Sequence, residues 1–338
     1  MNIRLRQIDR DSLACEPFLR RMPNGELLCL CQLGGSTEPA MENRVYFYHS
    51  SDNGETWSPR TLLAPEDGRA VYCTGLHVEG EVITAYLTFH TGRFLDWECQ
   101  MAQSRDNGYT WQLMGPPPHF AGYTFVRDSL TTRAGCRLIP YQTYPVTPQG
   151  CEAARSFADP AVWNTGAPWC EYGVLICRDG DFHRSEAGRV LNDPRWVWAE
   201  PTLAELSNGR IVMLTRRDGT GWLWRCDSAD GGRTWSETVQ TTIPNPGNKP
   251  RLIPLNAGRI ALVHTPNNAQ LRGSLNGDWG RHPLALWISG DDMATWQETL
   301  LTDFPGGYSY SDGFYEAGHL YLTVEHNRAT ILFFDITL

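Results

Sequence analysis

Ionisable side chains recur at one position of a repeated sequence unit, and their types suit the binding of a polar ligand. Each unit has a short apolar segment, a turn that ends in glycine and a second apolar segment. Glu16, Glu200 and Lys249 each stand nine residues before the turn glycine of their unit. Carboxylate and ammonium groups that converge at one cleft can bind a polar molecule and exchange protons with it. These residues are therefore predicted to line a ligand site.

Two further units carry polar residues near the same position. Counting back nine residues from the turn glycine, with a tolerance of one residue, reaches Arg127 or Val126 in the third unit and Ser309 or Tyr310 in the last. A guanidinium or a phenol at this position would add a charged or a nucleophilic group to the predicted site.

Acid and metal-ligand candidates elsewhere in the chain are more scattered. Asp67, in PEDGRAVY, and Asp128, in VRDSL, are further acid candidates in loops. Four histidines lie in the apolar segments: His77, His90, His264 and His326. No spacing of histidines or carboxylates matches a metal-ligand motif, so neither a metal nor a cofactor is predicted.

The elements that position these residues are marked by an eight-residue motif, S-x-D-x-G-x-T-W. It is intact at 50–57, 104–111 and 228–235, and a fourth copy at 289–296 has Met293 in place of the glycine. The aspartate can accept hydrogen bonds from its own turn and the glycine supplies a positive φ, so the motif predicts a turn between antiparallel strands. The tryptophan is expected to pack beneath the sheet. The motif is interpreted as structural, and no catalysis is assigned to its aspartates: Asp52, Asp106, Asp230 and Asp291.

Six units of this kind predict an all-β fold, a six-bladed β-propeller with four-stranded antiparallel blades. The 338 residues are interpreted as one such domain, 1–338. The last unit lacks the turn motif, and its missing strand is expected to come from the N-terminal segment NIRLRQI, which would close the ring. A degenerate copy of the motif is expected near Cys177, in ICRDGDF. Because the innermost strands begin near the central channel, the residues counted above would meet there.

A long insertion interrupts the third unit at about 142–172. A loop of this length in a compact fold is usually functional or disordered. It is expected either to cover the site as a lid or to pack against a neighbouring subunit. Its candidate residues are Tyr144, Glu152, Arg155, Asp159, Trp163 and Trp169.

Charge and apolar patterning exclude several classes of partner. With 29 Lys and Arg against 38 Asp and Glu, the net charge is −9, which disfavours nucleic acid and anionic membranes as partners. No apolar stretch approaches the ~18 residues of a transmembrane helix, and the N-terminus lacks the apolar core of a signal peptide. The ten cysteines are scattered without a C-x-x-C pair. A cytoplasmic protein with reduced thiols is therefore predicted, and a homo-oligomer remains open.

The turn motif and the order of the units resemble the sialidase superfamily, the Asp-box or BNR-repeat propellers, over nearly the whole chain. That family uses a tyrosine nucleophile, a glutamate that deprotonates it, an aspartate as acid/base and three arginines that bind the sugar carboxylate. The resemblance implies that Glu200 is the glutamate and that Arg216 and Arg281 are two of the arginines. It also implies that Tyr310 is the nucleophile.

The chemistry of the family explains these residue types. An anionic sugar repels a carboxylate nucleophile, so a phenol activated by a neighbouring glutamate is better suited. Guanidinium groups bind a carboxylate through two parallel hydrogen bonds. Tyr308 is the close rival of Tyr310 for the nucleophile, and Glu325 resembles the late family glutamate that supports the first arginine.

Two positions depart from the family pattern. The place of the first arginine reads Cys15-Glu16-Pro17, and Arg21 lies too close to the turn glycine to replace it. The loop at 34–44, which carries the acid/base aspartate in the family, contains only Glu38 and Glu42 as carboxylates. A complete arginine triad is therefore not expected.

The resemblance implies a retaining exo-glycoside hydrolase that acts on a small acidic glycoside, such as one of sialic acid, a related ulosonic acid or a uronic acid. Tyr310 would be the nucleophile and Glu200 its base, with Glu38 or Glu16 as the acid. The substrate-binding candidates are Arg216, Arg281, Lys249, Arg127, Asp128 and Asp67. Two alternatives are a uronate or polysaccharide lyase on the same scaffold and a carbohydrate-binding propeller without catalysis.

Overall fold

The computed structural model describes residues 1–64, 67–92, 97–120, 124–145, 167, 169–178, 181–191, 198–268, 280–302 and 304–338. The strands of these residues form six antiparallel sheets, each a blade of a six-bladed β-propeller. Apart from a 3-10 turn at Asn256–Gly258, no helix occurs in the described parts of the chain. None of their segments is therefore a helix able to span a lipid bilayer. The predicted fold class is confirmed.

The blades follow the chain order, except that the first strand joins the last blade. The strands are β1 (Asn2–Arg10), β2 (Ala14–Arg21), β3 (Leu27–Leu33), β4 (Arg44–Ser50), β5 (Thr61–Leu62), β6 (Ala70–Glu79), β7 (Val82–His90), β8 (Glu98–Ser104), β9 (Gln112–Gly115), β10 (Thr124–Val126), β11 (Leu130–Thr131), β12 (Arg137–Thr143), β13 (Trp169–Arg178), β14 (Asp181–Leu191), β15 (Thr202–Glu205), β16 (Ile211–Arg216), β17 (Trp222–Ser228), β18 (Val239–Pro244), β19 (Arg251–Pro254), β20 (Ile260–His264), β21 (Ala285–Ser289), β22 (Gln297–Leu300), β23 (Tyr308–Glu316), β24 (His319–His326) and β25 (Thr330–Thr337). Blade one contains β2–β5, blade two β6–β9, blade three β10–β14, blade four β15–β18, blade five β19–β22 and blade six β23–β25 with β1.

Blade six closes the ring with the N-terminal strand. β1 pairs antiparallel with β25, from Asn2 opposite Thr337 to Arg10 opposite Thr330. The expectation that the N-terminal segment supplies the missing strand is confirmed. Blade three differs from the predicted four strands because its innermost strand is interrupted, and β10 and β11 both pair with β12. The interruption falls at Arg127 and the two residues that follow it.

The repeated turns join the third and fourth strands of blades one, two, four and five. In the first copy, Asp52 accepts hydrogen bonds from the backbone N–H of Thr56 at 2.9 Å and from its hydroxyl at 2.6 Å. Ser50 Oγ accepts from the N–H of Gly54 at 2.8 Å. The predicted hydrogen bonding of the turn is therefore confirmed. These hydrogen bonds lower the pKa of Asp52 to about 2.

Each described turn also packs against the preceding blade. A Cβ at Gly54 would lie 2.2 Å from the ring of Phe333 in blade six, and one at Gly108 would lie 2.7 Å from Leu28 in blade one. The tryptophan of the first turn, Trp57, packs edge-on against Phe333 at 5.5 Å. In blade five, Met293 fills the glycine position and joins an apolar cluster shared by blades four and five. The turns therefore bind neighbouring blades together.

The insertion of blade three is shorter than predicted, because β12 runs through Thr143 and β13 begins at Trp169. Of the connection at 144–168, the described residues are 144, 145 and 167. Tyr144 is buried and packs edge-on against Trp198 at 6.3 Å. The other named candidates of the loop lie outside the described residues: Glu152, Arg155, Asp159 and Trp163. The degenerate copy expected near Cys177 has no room for an eight-residue turn, because β13 and β14 pair as far as Arg178 opposite Asp181. The two residues between these strands, 179–180, also lie outside the described residues.

Candidate active site

Close to the start of the innermost strands of blades one, four and six lies a residue in a left-handed backbone conformation. The φ angles are +45° at Glu16, +41° at Glu200 and +53° at Tyr310. A positive φ is uncommon for residues other than glycine and costs on the order of 1–3 kcal/mol. All three side chains are nevertheless buried. Strain of this kind, repeated at equivalent positions, directs the three side chains into one site.

Arg127 connects the two glutamates. Its guanidinium donates to Glu16 Oε1 and, at 3.2 Å, to Glu200 Oε1. Lys249 approaches from blade five, with Nζ 3.3 Å from Glu16 Oε1. Burial raises the pKa of Glu16, but the charges of Arg127 and Lys249 outweigh burial and hold that pKa below its ordinary value. Glu16 is therefore an ionised carboxylate that contacts two cations.

Arg216 brings Glu200 and Tyr310 together. Its Nη1 donates to Glu200 Oε2 at 2.8 Å and to the phenol oxygen of Tyr310 at 3.5 Å. Its Nε lies 3.2 Å from Asp218 Oδ1 on the other side. Burial and the charge of Glu200 raise the pKa of Tyr310, while Arg216 and Arg281 oppose that rise. At neutral pH the phenol is therefore protonated and needs a base to become a nucleophile.

Arg281 and Lys249 lie against the ring of Tyr310. The guanidinium carbon of Arg281 is 5.5 Å from the ring centroid and Lys249 Nζ is 5.3 Å from it. Arg281 donates to Ser309 Oγ at 3.0 Å and to the carbonyl of Gly247 at 2.8 Å. These hydrogen bonds fix the guanidinium between blades five and six. Tyr310 is thus bordered by cations from three directions.

A further arginine, which the sequence did not indicate, enters the site from blade six. Arg328 lies in the turn between β24 and β25 and donates to Glu38 Oε2. Cys15 Sγ lies 3.9 Å from the same oxygen, so the guanidinium reaches the place where the strand lacks an arginine. Burial lowers the pKa of Arg328, but Glu38 and Glu325 outweigh burial and raise it well above the ordinary value. The one available signal was a basic residue three positions after Glu325.

Glu325 supports the start of blade one rather than an arginine of that strand. It is fully buried, and its Oε2 accepts from the backbone N–H of Glu16 at 3.1 Å. Burial raises the pKa of this carboxyl, against the charges of Arg328 and Arg281. The hydrogen bond fixes the backbone of Glu16 in its strained conformation.

Several candidates lie away from this cluster. Asp67 is exposed and pairs with Arg69 at 2.6 Å. Asp128 contacts Arg20 and Arg251 instead of the cluster. Tyr308 is buried, and its hydroxyl donates to the carbonyl of Phe304 at 2.9 Å.

The structure thus brings together eight of the ten candidates, all except Asp67 and Asp128: Glu16, Glu38, Arg127, Glu200, Arg216, Lys249, Arg281 and Tyr310. With Arg328, Asp218 and Glu325, the described residues of the cluster include as many cations as carboxylates. A buried phenol beside a carboxylate and several guanidiniums can perform nucleophilic substitution on an anionic substrate. The described residues include no cluster of three or more His, Cys, Asp or Glu side chains able to bind a metal ion.

The family model for the BNR repeat-like domain matches residues 96–322. No curated protein matches the chain in sequence. The resemblance to the BNR-repeat propellers is therefore confirmed at the level of the family.

Solved structures of similar fold include sialidases. A Hadza microbial sialidase has a TM-score of 0.72 at 18% identity, with 98% of this chain covering 66% of that one. A protein of unknown function from Dyadobacter fermentans has a TM-score of 0.70 at 16% identity, covering 99% of both chains. Trypanosoma rangeli sialidase in complex with 2,3-difluorosialic acid, a covalent intermediate, has a TM-score of 0.70 at 16% identity, with 96% of this chain covering 54% of that one. The chain thus spans less than two thirds of either sialidase.

Proposed function

The chain belongs to the BNR repeat-like domain family, and on that premise we propose that it is a sialidase-like retaining exo-glycosidase with Tyr310 as its nucleophile. The observation that carries this proposal is the contact of one arginine with both a carboxylate and a phenol. Arg216 Nη1 lies 2.8 Å from Glu200 and 3.5 Å from Tyr310, with all three side chains buried. The proposed base and nucleophile are therefore held on the same guanidinium, away from bulk water.

In the proposed reaction, Tyr310 Oη bonds to the anomeric carbon while the bond to the departing oxygen breaks. Glu200 takes the phenolic proton, and an acid donates a proton to the departing oxygen. Water, deprotonated by the same acid residue, then attacks the anomeric carbon and releases the sugar. Tyr310 recovers its proton from Glu200, and two inversions give net retention.

Glu38 is the better of the two acid candidates. Glu16 lies between Arg127 and Lys249, whose charges keep it ionised. Glu38 comes from the loop of blade one and contacts a single guanidinium, that of Arg328. A substrate carboxylate that competes for Arg328 would release Glu38 from this ion pair and free it to act on the departing oxygen.

The proposed substrate is a small anionic glycoside. Arg216 and Arg281 contact Tyr310 directly, and Arg328 interacts with it electrostatically. Guanidinium groups on several sides of the nucleophile would bind a carboxylate next to the reacting carbon. The likeness to a sialidase with 2,3-difluorosialic acid supports a sugar acid as the first substrate to test.

A carbohydrate-binding propeller without catalysis is the second candidate. It is favoured by one observation, that the phenol of Tyr310 contacts a guanidinium rather than a carboxylate. In the glycosidase, a bound anion would have to draw Arg216 from the phenol so that Glu200 could reach it. In a binding protein, no such movement is needed.

The deciding experiment combines a substrate screen with covalent trapping. Aryl glycosides of sialic acid, other ulosonic acids, uronic acids and neutral sugars are assayed for release of the aryl group. A 2,3-difluoro analogue of the preferred sugar acid should then add one sugar to the wild-type chain, on Tyr310, with loss of fluoride. Tyr310→Phe should gain no mass. Binding without turnover or labelling would favour the second candidate, and an unsaturated, ultraviolet-absorbing product would indicate a lyase.

A further inference from the structure

Four charged side chains form a closed ring across the central channel. Arg20 donates to Asp312 at 2.6 Å and contacts Asp128, while Arg251 contacts Asp128 and approaches Asp312 to 3.0 Å. The signs alternate around the ring, so each charge has two opposite neighbours and the ring is neutral. Burial lowers the pKa of Arg20, but the two aspartates outweigh it and raise that pKa above its ordinary value.

The ring joins blades one, three, five and six, and short residues in the other two blades leave room for it. A Cβ at Gly75, in blade two, would lie 2.9 Å from the carbonyl oxygen of Val126 in blade three. In blade four, Thr202 Oγ1 accepts from the N–H of Leu252 at 3.0 Å. Neither residue extends a charged side chain into the channel. Blades one and three can therefore form an ion pair with each other past blade two, and blades three and five can do so past blade four.

Each member of the ring stands a short distance along the chain from a residue of the candidate site. Asp128 follows Arg127 directly, Arg251 follows Lys249 by two residues, and Asp312 follows Tyr310 by two. Arg20 lies on β2 with Glu16. Asp312 also accepts from the backbone N–H of Leu19 at 2.9 Å, which ties β23 to β2. A shift of any ring member would therefore move a strand start that carries a site residue.

We infer that this ring is a positioning device, which sets the relative placement of Glu16, Arg127, Lys249 and Tyr310 by locking their strands together. The inference rests on the proposed site around Tyr310. The ring is a partly buried ion-pair network. Removing one member leaves an unbalanced charge, whereas removing one cation together with one anion does not. Misplacement of reacting groups by about 1 Å can cost on the order of 100-fold in rate.

The test changes ring residues and measures the effect on the environment of Tyr310. 3-Fluorotyrosine is placed at position 310, and its fluorine resonance is recorded in Asp128→Asn and Arg20→Gln, whose positions lie outside β23. Both variants should shift the resonance and lower kcat by about 10- to 100-fold with a smaller change in KM. The matched control is Glu316→Gln, on the same strand as Tyr310, because Glu316 pairs with Arg21 of β2 at 2.8 Å outside the ring. The control should leave the resonance and kcat unchanged.

The double variant Arg20→Gln/Asp128→Asn keeps the ring neutral and retains the contact between Arg251 and Asp312. The fold-loss in kcat of the double variant should be smaller than the product of the fold-losses in kcat of the two single variants. Unshifted resonances in both single variants, or an equal shift in Glu316→Gln, would overturn the inference. Arg20→Lys keeps the charge and serves if a single variant fails to fold. The fluorine signal needs no turnover, so an inactive wild-type chain would refute the proposed function while the ring is still tested.

Discussion

Glu16 and Glu200, which lie near the start of the innermost strands of blades one and four, are held by the two terminal nitrogens of a single guanidinium. Arg127 donates to the first through Nη1 and to the second, at 3.2 Å, through Nη2. Both glutamates have a positive φ and both precede a proline. Because one cation serves both carboxylates, the proposed base cannot shift without disturbing the buried charge beside it. This coupling fixes Glu200 for its proposed role as the base.

Tyr310 and Tyr308 should respond very differently to removal of the hydroxyl group. Tyr310→Phe removes the proposed nucleophile, so kcat on the preferred aryl glycoside should fall by about 10³-fold or more. Tyr308→Phe removes a hydrogen bond to Phe304, which should lower the free energy of unfolding by about 1 kcal/mol with kcat retained. Steady-state kinetics and urea unfolding of both variants check this. Full turnover in Tyr310→Phe would rule out the nucleophile assignment.

Arg328 should matter for anionic ligands more than for neutral ones. A charge-assisted hydrogen bond contributes about 1.5–3 kcal/mol, so Arg328→Gln should weaken the binding of a sugar acid by roughly 10- to 100-fold. A neutral glycoside of the same ring size should change by less than about threefold. Calorimetry with both ligands measures the difference. Arg217→Gln is the control, because Arg217 stacks on Trp224 at 3.9 Å, and it should leave the affinity for both ligands unchanged. An equal loss of affinity for both ligands in Arg328→Gln would contradict a carboxylate-binding role.

The propeller could be predicted from the sequence because its signals are local. Asp52 and Thr56 make the hydrogen bonds of the repeated turn within five residues of one another. Counting back from a turn glycine then reached Glu16, Glu200 and Lys249, since each blade repeats the same strand and turn lengths. The structure brings these three residues to one end of the channel.

Arg328 and the charge ring could not be predicted in this way. Arg328 comes from a turn between the second and third strands of its blade, where no repeated spacing applies. Asp128, Arg251 and Asp312 stand one or two residues after their site neighbours, so no single offset identifies them. Asp128 resembled a loop carboxylate in the sequence. Its pairing with Arg20, over a hundred residues away, depends on the closure of the whole ring.

Gly54, the glycine of the S-x-D-x-G-x-T-W motif in blade one, should tolerate no side chain. In Gly54→Ala, the new Cβ would overlap the ring of Phe333 at 2.2 Å, so the clash adds to the backbone strain of φ +82°. The matched control is Gly25→Ala, where φ is +90° but no atom lies within 4 Å of the new Cβ. The control should cost about 1–2 kcal/mol of unfolding free energy and Gly54→Ala at least about 2 kcal/mol more. Equal losses in chemical denaturation would refute the packing role of this turn.

Because of its buried histidines, the folded protein should begin to lose stability on acidification at a pH well above the pKa of its carboxylates. Burial lowers the pKa of His90 to about 3, and its Nδ1 accepts from the N–H of Gly92 at 3.1 Å, as a neutral ring does. In the unfolded chain the pKa is about 6.5, so below that pH the unfolded state binds one more proton than the folded state. The contribution of His90 is therefore complete above about pH 6.5 and is lost progressively as the pH falls towards 3.

The loss has a slope of about 1.4 kcal/mol per pH unit for each such histidine. His90→Phe keeps a ring against Trp97, which stacks on His90 at 4.7 Å, and should reduce the slope between pH 6.5 and 4 by about that amount. Urea unfolding at several pH values measures it. His264, whose pKa burial also lowers to about 3, provides an independent second site in His264→Phe. An unchanged slope in both variants would mean that these histidines are protonated in the folded protein.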